Sequence, residues 1–346
     1  MAEALPAVAE VTVSKKTIVN LLFFLCYNLN GDRMKSLCDI LNLGEFISEE
    51  RINEGLTNKL YKLVTTKDTY VIKVLSNIDL LDKIEKSEEI ANIALNNGIN
   101  SICALKFNGK YIQEYNENYL LIYKYCNGKI LLTKELTLNH VSKLASILGT
   151  LHSIKITNPI EPTKYNKIDY RKYYELIKDN NEEWSLLFRE KIDDLCSLYD
   201  NVYNNYLKLS NQLSYVHKDF NRRNVLWEND IPYIIDWETA TMGNPSIDFF
   251  NSAWFLTADV NIDKYTVFCT EYFKKNKLED DINISAYASI IEECNWLEFS
   301  LKRLNSSNIE EVNLGKNSIK GSLTEILNYY NKIPLMISII KKISEN

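Results

Sequence analysis

Residues 214–240 read "SYVHKDFNRRNVLWENDIPYIIDWETA". This stretch sets His217, Asp219, Asn224 and Asp236 in close order among short apolar runs. "VLW" and "YIIDW" flank the polar "ENDIP", a pattern that predicts a hairpin. Such a hairpin returns Asp236 to the side of Asn224. Phosphoryl transfer requires a carboxylate beside the acceptor hydroxyl and hard oxygen ligands for Mg²⁺ on the nucleotide phosphates. The spacing suits Asp219 to the first task and Asn224 and Asp236 to the second. His217 reads as a structural residue that holds the loop. Arg222 and Arg223 either bring positive charge to the moving phosphoryl group or form a solvated loop face.

Upstream, "LYKLVTTKDTYVIKVL" carries two strand-like runs around a polar turn, so a hairpin is expected. "IDLLDKIEKSEEIANIALNNGI" predicts a helix with Leu81, Ile84, Ala91 and Leu95 on one face, ended at Asn97-Gly98. "KYIQEYNENYLLIYKYC" predicts two further strands, and "NGK" then breaks the pattern. "HVSKLASILGTLHSI" predicts an amphipathic helix, as do two segments within 167–212 and most of the chain after 247. A small strand-rich half is therefore followed by a large helical half, joined near Asn127-Gly128. Residues 1–44, with "TIVNLLFFLCYNL" and "DRMKSLCDIL", predict a helical extension.

"HKDFNRRNVLW" with "YIIDWE" resembles the catalytic loop and metal-binding segment of the aminoglycoside phosphotransferase and choline kinase superfamily. Trp237-Glu238 stand where protein kinases have Phe-Gly, and Lys218 stands where this branch often has Gly, Asn or Arg. The resemblance implies an α+β fold of protein-kinase-like, two-lobed type, with a small antiparallel-sheet N-lobe and a larger helical C-lobe. It implies a nucleotide-binding lobe over 45–126 and a catalytic and acceptor-binding lobe over 127–346. "NEGLTNKLYKL" resembles the family's nucleotide loop, which assigns Gly55, Thr57 and Asn58 to the phosphates. "TYVIKVL" resembles the third strand, with Lys73 as the phosphate-holding lysine. Its helix partner is Glu88 or Glu89. Glu88 is favoured, because Ala91 and Leu95 then lie along its side. "YLLIYKYCNGK" resembles the linker, placing Tyr123 at the back of the base pocket and the Lys124 carbonyl and Cys126 N–H at the base edge. A bulky Tyr123 favours GTP at least as well as ATP, unless it turns into the core. His152, in "LHS", is read as packing, and Asp248 as the aspartate that orders the catalytic loop.

The implied activity is transfer of a γ-phosphoryl group from ATP or GTP, with Mg²⁺, to a hydroxyl of a small acceptor. An aminoglycoside-like acceptor leads, with choline, ethanolamine or another metabolite as the alternative. A non-catalytic kinase-like binding protein is the reading from another class. "IIEECNWLEFSLKR" offers Glu292, Glu293 and Glu298 for ammonium groups and Trp296 for a cation, or else is a surface helix with Trp296 in the core.

Composition is that of an ordinary soluble globular chain. The 346 residues are 46% hydrophobic and carry a net charge of -6, which argues against nucleic acid as a partner. Seven scattered cysteines without a C-x-x-C pair, and three histidines that do not cluster, predict thiols rather than disulfides or zinc. No secretory signal or membrane span is expected, so a cytoplasmic location is.

Overall fold

The computed structural model describes residues 31–52, 58–157 and 159–345. Within them the chain forms two compact units, one of the described residues up to 85 with 104–125, the other of 86–103 with the described residues from 126 onward.

The first unit is built on a five-stranded antiparallel sheet. Its strands are β1 (Phe46–Ile52), β2 (Lys59–Thr65), β3 (Thr69–Leu75), β4 (Gln113–Tyr115) and β5 (Asn118–Lys124), in the order β1-β2-β3-β5-β4. The β4–β5 turn places Asn116 and Glu117 at φ of 48° and 60°, the left-handed pair that matches the twist of a two-residue hairpin. β1 was not foreseen from sequence. Its "FISEERI" is a mostly solvated edge without apolar alternation, so it carries no period-2 signal. One sheet face buries Ile72, Val74, Leu120 and Ile122 against Met34, Leu37 and Cys38 of helix α1 (Gly31–Ile40) and against Leu43. The described part of the extension is thus part of this core; "TIVNLLFFLC" lies outside the described residues. The other face gathers Leu75, Leu121, Ile84, Ala104 and Tyr111, with Tyr123 packed against them.

Helix α2 (Leu81–Asn96) buries Ile84, Ser87, Glu88, Ile90, Ala91 and Ala94. Leu95 is 44% exposed, so the predicted apolar face was misdrawn at its end.

The second unit is mainly helical. Its core runs through α3 (Leu138–Ser153), α4 (Tyr170–Ile177), α5 (Glu183–Tyr206), α6 (Pro245–Leu256), α7 (Ile262–Phe273), α8 (Ile282–Ser289), α9 (Ile291–Arg303) and α10 (Ile309–Ser344). Two small antiparallel pairs lie among these helices. β6 (Ser214–Val216) pairs with β9 (Thr241–Gly243), and β7 (Val225–Glu228) with β8 (Ile231–Ile234). The β7–β8 turn again uses two left-handed residues, Asn229 and Asp230 (φ 50° and 63°). Its tip is tied to α3: His140 Nε2 lies 3.0 Å from Asp230 Oδ1, and Lys143 Nζ donates to the Asp230 carbonyl at 2.7 Å. Gly128 lets the incoming chain lie flat on this hairpin. A Cβ there would meet Leu226 Cβ at 2.8 Å, and the neighbouring Lys129 exchanges backbone hydrogen bonds with Trp227.

Among the described residues no helix is long and apolar enough to cross a membrane. The six described cysteines are all free.

Candidate active site

The loop 217–224 hangs between β6 and β7, and its shape is dictated from below. Asp248, near the start of α6, is buried and spreads its carboxylate under the loop. Oδ2 accepts from the His217 N–H (2.9 Å) and from His152 Nε2 (3.1 Å), and Oδ1 accepts from the Lys218 N–H (3.0 Å). Burial alone would raise the pKa of this carboxyl, but its partners hold it below the ordinary aspartate value. His152 is therefore more than packing. A carboxylate only accepts, so Nε2 carries the proton, and Nδ1 is left to meet the Tyr272 hydroxyl at 2.8 Å.

His217 is wholly buried between Phe220 and Trp237. Its Nε2 donates to the Ile235 carbonyl (3.2 Å), and Nδ1 has no partner among the described residues. That geometry fits a loop-holding residue and offers no route to a substrate proton.

Asp219 sits on the rim. Asn221 Nδ2 donates to its Oδ1 (2.5 Å) and Asn224 Nδ2 to its Oδ2 (2.7 Å) and carbonyl (2.8 Å). The side chain reaches solvent. Even so, the surrounding protein strips enough water to push this carboxyl up, Asp236 pushes the same way, and the charges of His217 and Arg223 and the Asn224 bond oppose. Its rim position is reached by water on one side and crowded on the others. Asn221 was not singled out from sequence. It caps the turn through its Oδ1, which accepts from the Arg223 N–H at 2.9 Å, and a single Asn in a loop gives no signal of that.

Asn224 turns its amide nitrogen to the Asp219 carbonyl and carboxylate, which leaves its Oδ1 as the oxygen that could meet a cation. Its carbonyl accepts from the Ile235 N–H (3.0 Å), locking the loop to the segment that carries Asp236. Trp237 is buried, with its indole donating to the Ile234 carbonyl (3.2 Å), while Asp236 is exposed at φ 60° and ψ 58°. Left-handed backbone at a non-glycine residue costs of order 1 kcal/mol and is found where a side chain must be aimed. Among the described residues no group of three or more His, Cys, Asp or Glu can hold a metal. An amide oxygen and one carboxylate nonetheless suit Mg²⁺, which takes few protein oxygens and fills its shell with phosphate and water.

Lys218 has φ of 67°, also left-handed, a region that glycine enters at no steric cost and lysine does not. Its ammonium lies 3.4 Å from Glu292 Oε2 and 5.3 Å from the centre of the Tyr165 ring. The Tyr165 hydroxyl donates to the other oxygen of Glu292. Burial raises Glu292, while Lys218 and Tyr165 restrain the rise. Tyr165 went unnoticed in the sequence, because a tyrosine in an irregular segment has no periodic signature. These residues border a cavity of about 470 Å³, which Asp219, Asn224 and Asp236 do not line.

The other residues of α9 separate clearly. Glu298 accepts from the Tyr173 hydroxyl (3.0 Å) and from Lys302 (2.8 Å), so it is structurally engaged. Trp296 is 44% exposed, not in the core, and the guanidinium of Arg303 lies over its ring and, at 4.4 Å, over that of Phe299. Glu293 is pushed up to about 8 by burial, with Glu325, Glu292 and Asp219 adding and Arg223 opposing. Arg222 reaches the Leu131 carbonyl (3.4 Å), whereas Arg223 is exposed.

In the first unit, Lys73 is half-buried on β3, opposite Leu60 and Leu121, on the sheet face that carries Leu75 and Tyr123. Asn58 Oδ1 accepts from the Ser76 N–H (3.1 Å), tying the start of β2 to the end of β3. Gly55 and Thr57 lie outside the described residues. The Lys124 ammonium pairs with Asp68 (3.2 Å), and Cys126 is half-buried. Glu88 is fully buried and Glu89 half-buried. Glu85 is engaged elsewhere, accepting from the N–H groups of Tyr111 (2.8 Å) and Ile112 (2.9 Å).

The architecture is the two-lobed α+β type of the kinase-like phosphotransferases. The profile of the Phosphotransferase enzyme family matches residues 48–276, and the chain belongs to that family. Its fold is similar to a spectinomycin phosphotransferase solved with ADP and spectinomycin, at 16% identity over 87% of this chain and 99% of that one, with a TM-score of 0.63. It is also similar to an ethanolamine kinase from Plasmodium vivax, at 17% identity over 91% and 95%, TM-score 0.59. A choline kinase from Cryptosporidium parvum matches at 16% identity over 90% and 99%, TM-score 0.52. No curated protein matches the chain significantly.

Proposed function

We propose that this protein is a small-molecule kinase that moves the γ-phosphoryl group of a nucleoside triphosphate to an acceptor hydroxyl. The observation that carries the reading is the Asp219 carboxylate, fixed by two asparagine amides, with the Asn224 oxygen and Asp236 presented by the same loop and hairpin. Asp219 takes the hydroxyl proton as the acceptor oxygen bonds to the γ-phosphorus, and the bond from that phosphorus to the β–γ bridging oxygen breaks. A carboxyl raised above the ordinary aspartate value is the better base near neutrality. Asn224 Oδ1 and Asp236 would hold Mg²⁺, which supplies charge neutralisation on the phosphates. In this reading residues 45–126 bind the nucleotide and 127–346 carry catalysis and the acceptor. Gly55, Thr57, Asn58 and Lys73 serve the phosphates, Glu88 positions the lysine, and Tyr123, Lys124 and Cys126 meet the base.

An acceptor bearing ammonium groups, as aminoglycosides do, is favoured over choline. The exposed aromatic pair of α9, which could otherwise sit against a quaternary ammonium, already has Arg303 over it. The test is a phosphoryl-transfer screen over aminoglycosides, ethanolamine, choline and sugars, with Asp219→Asn as control. Transfer to a member of the panel that vanishes in the control supports the reading. A chain that binds nucleotide, transfers nothing and is indifferent to Asp219→Asn is a binding protein instead. Donor choice is tested in the same assay. Tyr123 shares the sheet face of Lys73 and is half-buried, so GTP is expected to serve at least as well as ATP, and Tyr123→Met to shift kcat/KM toward ATP. A strong ATP preference in the wild type, unmoved by the substitution, removes Tyr123 from the base pocket.

A further inference from the structure

We propose that Lys218 is a positioning residue for phosphoryl transfer: its ion pair with Glu292, beneath Tyr165, fixes the left-handed backbone that aims Asp219. This rests on the reading of Asp219 as the group that receives the acceptor proton.

Three observations converge on the residue just before Asp219. The backbone of Lys218 is in the left-handed region at φ 67°, where a lysine does not settle without support. Its N–H is held by Asp248, but that bond fixes one end of the residue only. The side chain supplies the second anchor. The ammonium is 3.4 Å from Glu292 Oε2, and the two side chains are 13% and 18% exposed, so the pair is largely shielded from water. Surface ion pairs contribute little, whereas a shielded pair with a further hydrogen bond holds its geometry and is costly to break from one side.

The third observation is what the anchor is attached to. Glu292 is in the first turn of α9, next to Glu293, whose carboxyl feels Asp219 and Arg223. Tyr165 completes the brace. Its hydroxyl bonds Glu292, its N–H donates to the Tyr206 hydroxyl (3.2 Å), and its ring meets that of Tyr206 edge-on at 5.3 Å. The catalytic loop is thereby tied through Lys218 to α9 and to the end of α5.

The variants are Lys218→Met, which keeps length and loses the pair; Lys218→Gly, which loses the pair but suits the backbone; Lys218→Arg; and Glu292→Gln. We expect kcat to fall roughly ten- to hundredfold in Lys218→Met and Glu292→Gln, with KM for the nucleotide unchanged, because a base misplaced by about an ångström costs that much. Lys218→Arg should recover most of the rate, and Lys218→Gly should fall between Arg and Met. The double variant Lys218→Met/Glu292→Gln should be no slower than either single one. Amide hydrogen exchange of His217 and Lys218, whose N–H groups bond Asp248, should quicken in Lys218→Met. Wild-type kcat in folded Lys218→Met with only a lower Tm would make the pair merely structural and overturn the proposal, as would additive losses in the double variant. If the wild type transfers phosphate to no acceptor, the functional reading fails. The exchange measurement then decides the brace, and unchanged protection overturns it.

Discussion

Asp248 beneath the 217–224 loop and Asp219 on its rim are both crowded aspartates, yet they are shifted in opposite directions. Asp248 is fully enclosed and would be raised by burial, but three hydrogen bonds and two nearby histidines bring it below the ordinary value. Asp219 touches solvent and also accepts two amide bonds, but the loss of water around it outweighs the lowering by His217, the Asn224 bond and Arg223, and the neighbouring Asp236 adds to the rise. The outcome is thus set by how far the partners offset desolvation: fully at Asp248, only in part at Asp219. Below the loop, donors converge on one acceptor and make a support that stays ionised. On the rim, a second acid is kept close, and the carboxyl stays ready to take a proton.

The largest expected effect is on the rim. Asp219→Asn and Asp236→Asn should each reduce turnover by roughly a thousandfold or more while keeping a cooperative melt. In the wild type, activity should be lost as pH falls through the raised Asp219 value, so the acid limb of kcat/KM lies above the ordinary aspartate range. A folded Asp219→Asn enzyme with a tenth of wild-type turnover would erase the contrast between rim and support.

Next comes Asp248→Asn. The amide offers one acceptor in place of two, leaving a buried N–H or His152 without its partner. We expect a loss of about 2–4 kcal/mol in stability by denaturant unfolding, with a smaller loss of turnover than at Asp219. Unchanged stability would show that the support is dispensable.

The smallest effect sharpens the comparison at its edge. Glu293, pushed up to about 8, binds a proton in the folded chain that the unfolded chain has released. Folded-state stability therefore falls as pH rises from the ordinary glutamate range through about 8, since the native state holds more protons across that window. Glu293→Gln should melt above the wild type at about pH 8.5, with the gap closing toward pH 5. A gap that is the same at both ends would place Glu293 in ordinary solvent.

Much of the rim was legible in the sequence. Asp219, Asn224 and Asp236 sit on one loop and one hairpin, so residue spacing and a polar turn were enough to bring them together. The hairpins at 59–75 and 113–124 were legible for the same reason. The support was only half legible. His152 was correctly placed inside, because apolar periodicity reports burial, but periodicity does not report that its ring bridges Tyr272 and Asp248. The pairing of Lys218 with Glu292 and Tyr165 joins three distant segments and leaves no local trace. On α9, four candidate acceptor residues looked equivalent in the sequence. Their partners separate them, with Glu298 and Glu292 engaged, Trp296 outside the core and Glu293 beside the rim.

The left-handed turn at Asn229-Asp230 has a consequence for the order in which the chain assembles. A two-residue turn already suited to the strand twist closes β7 on β8 at little loop entropy, and such hairpins form in about 1–10 μs. Asn224 and Asp236 are thus paired by a local event. The cluster of His152, Asp248 and Tyr272 must wait for three helices, α3, α6 and α7, to meet across long stretches of chain. A hydrogen-exchange pulse early in refolding should find the Ile235 amide, which bonds Asn224, protected before the His217 amide, which bonds Asp248. Simultaneous protection would mean that the hairpin does not stand until the helices hold it.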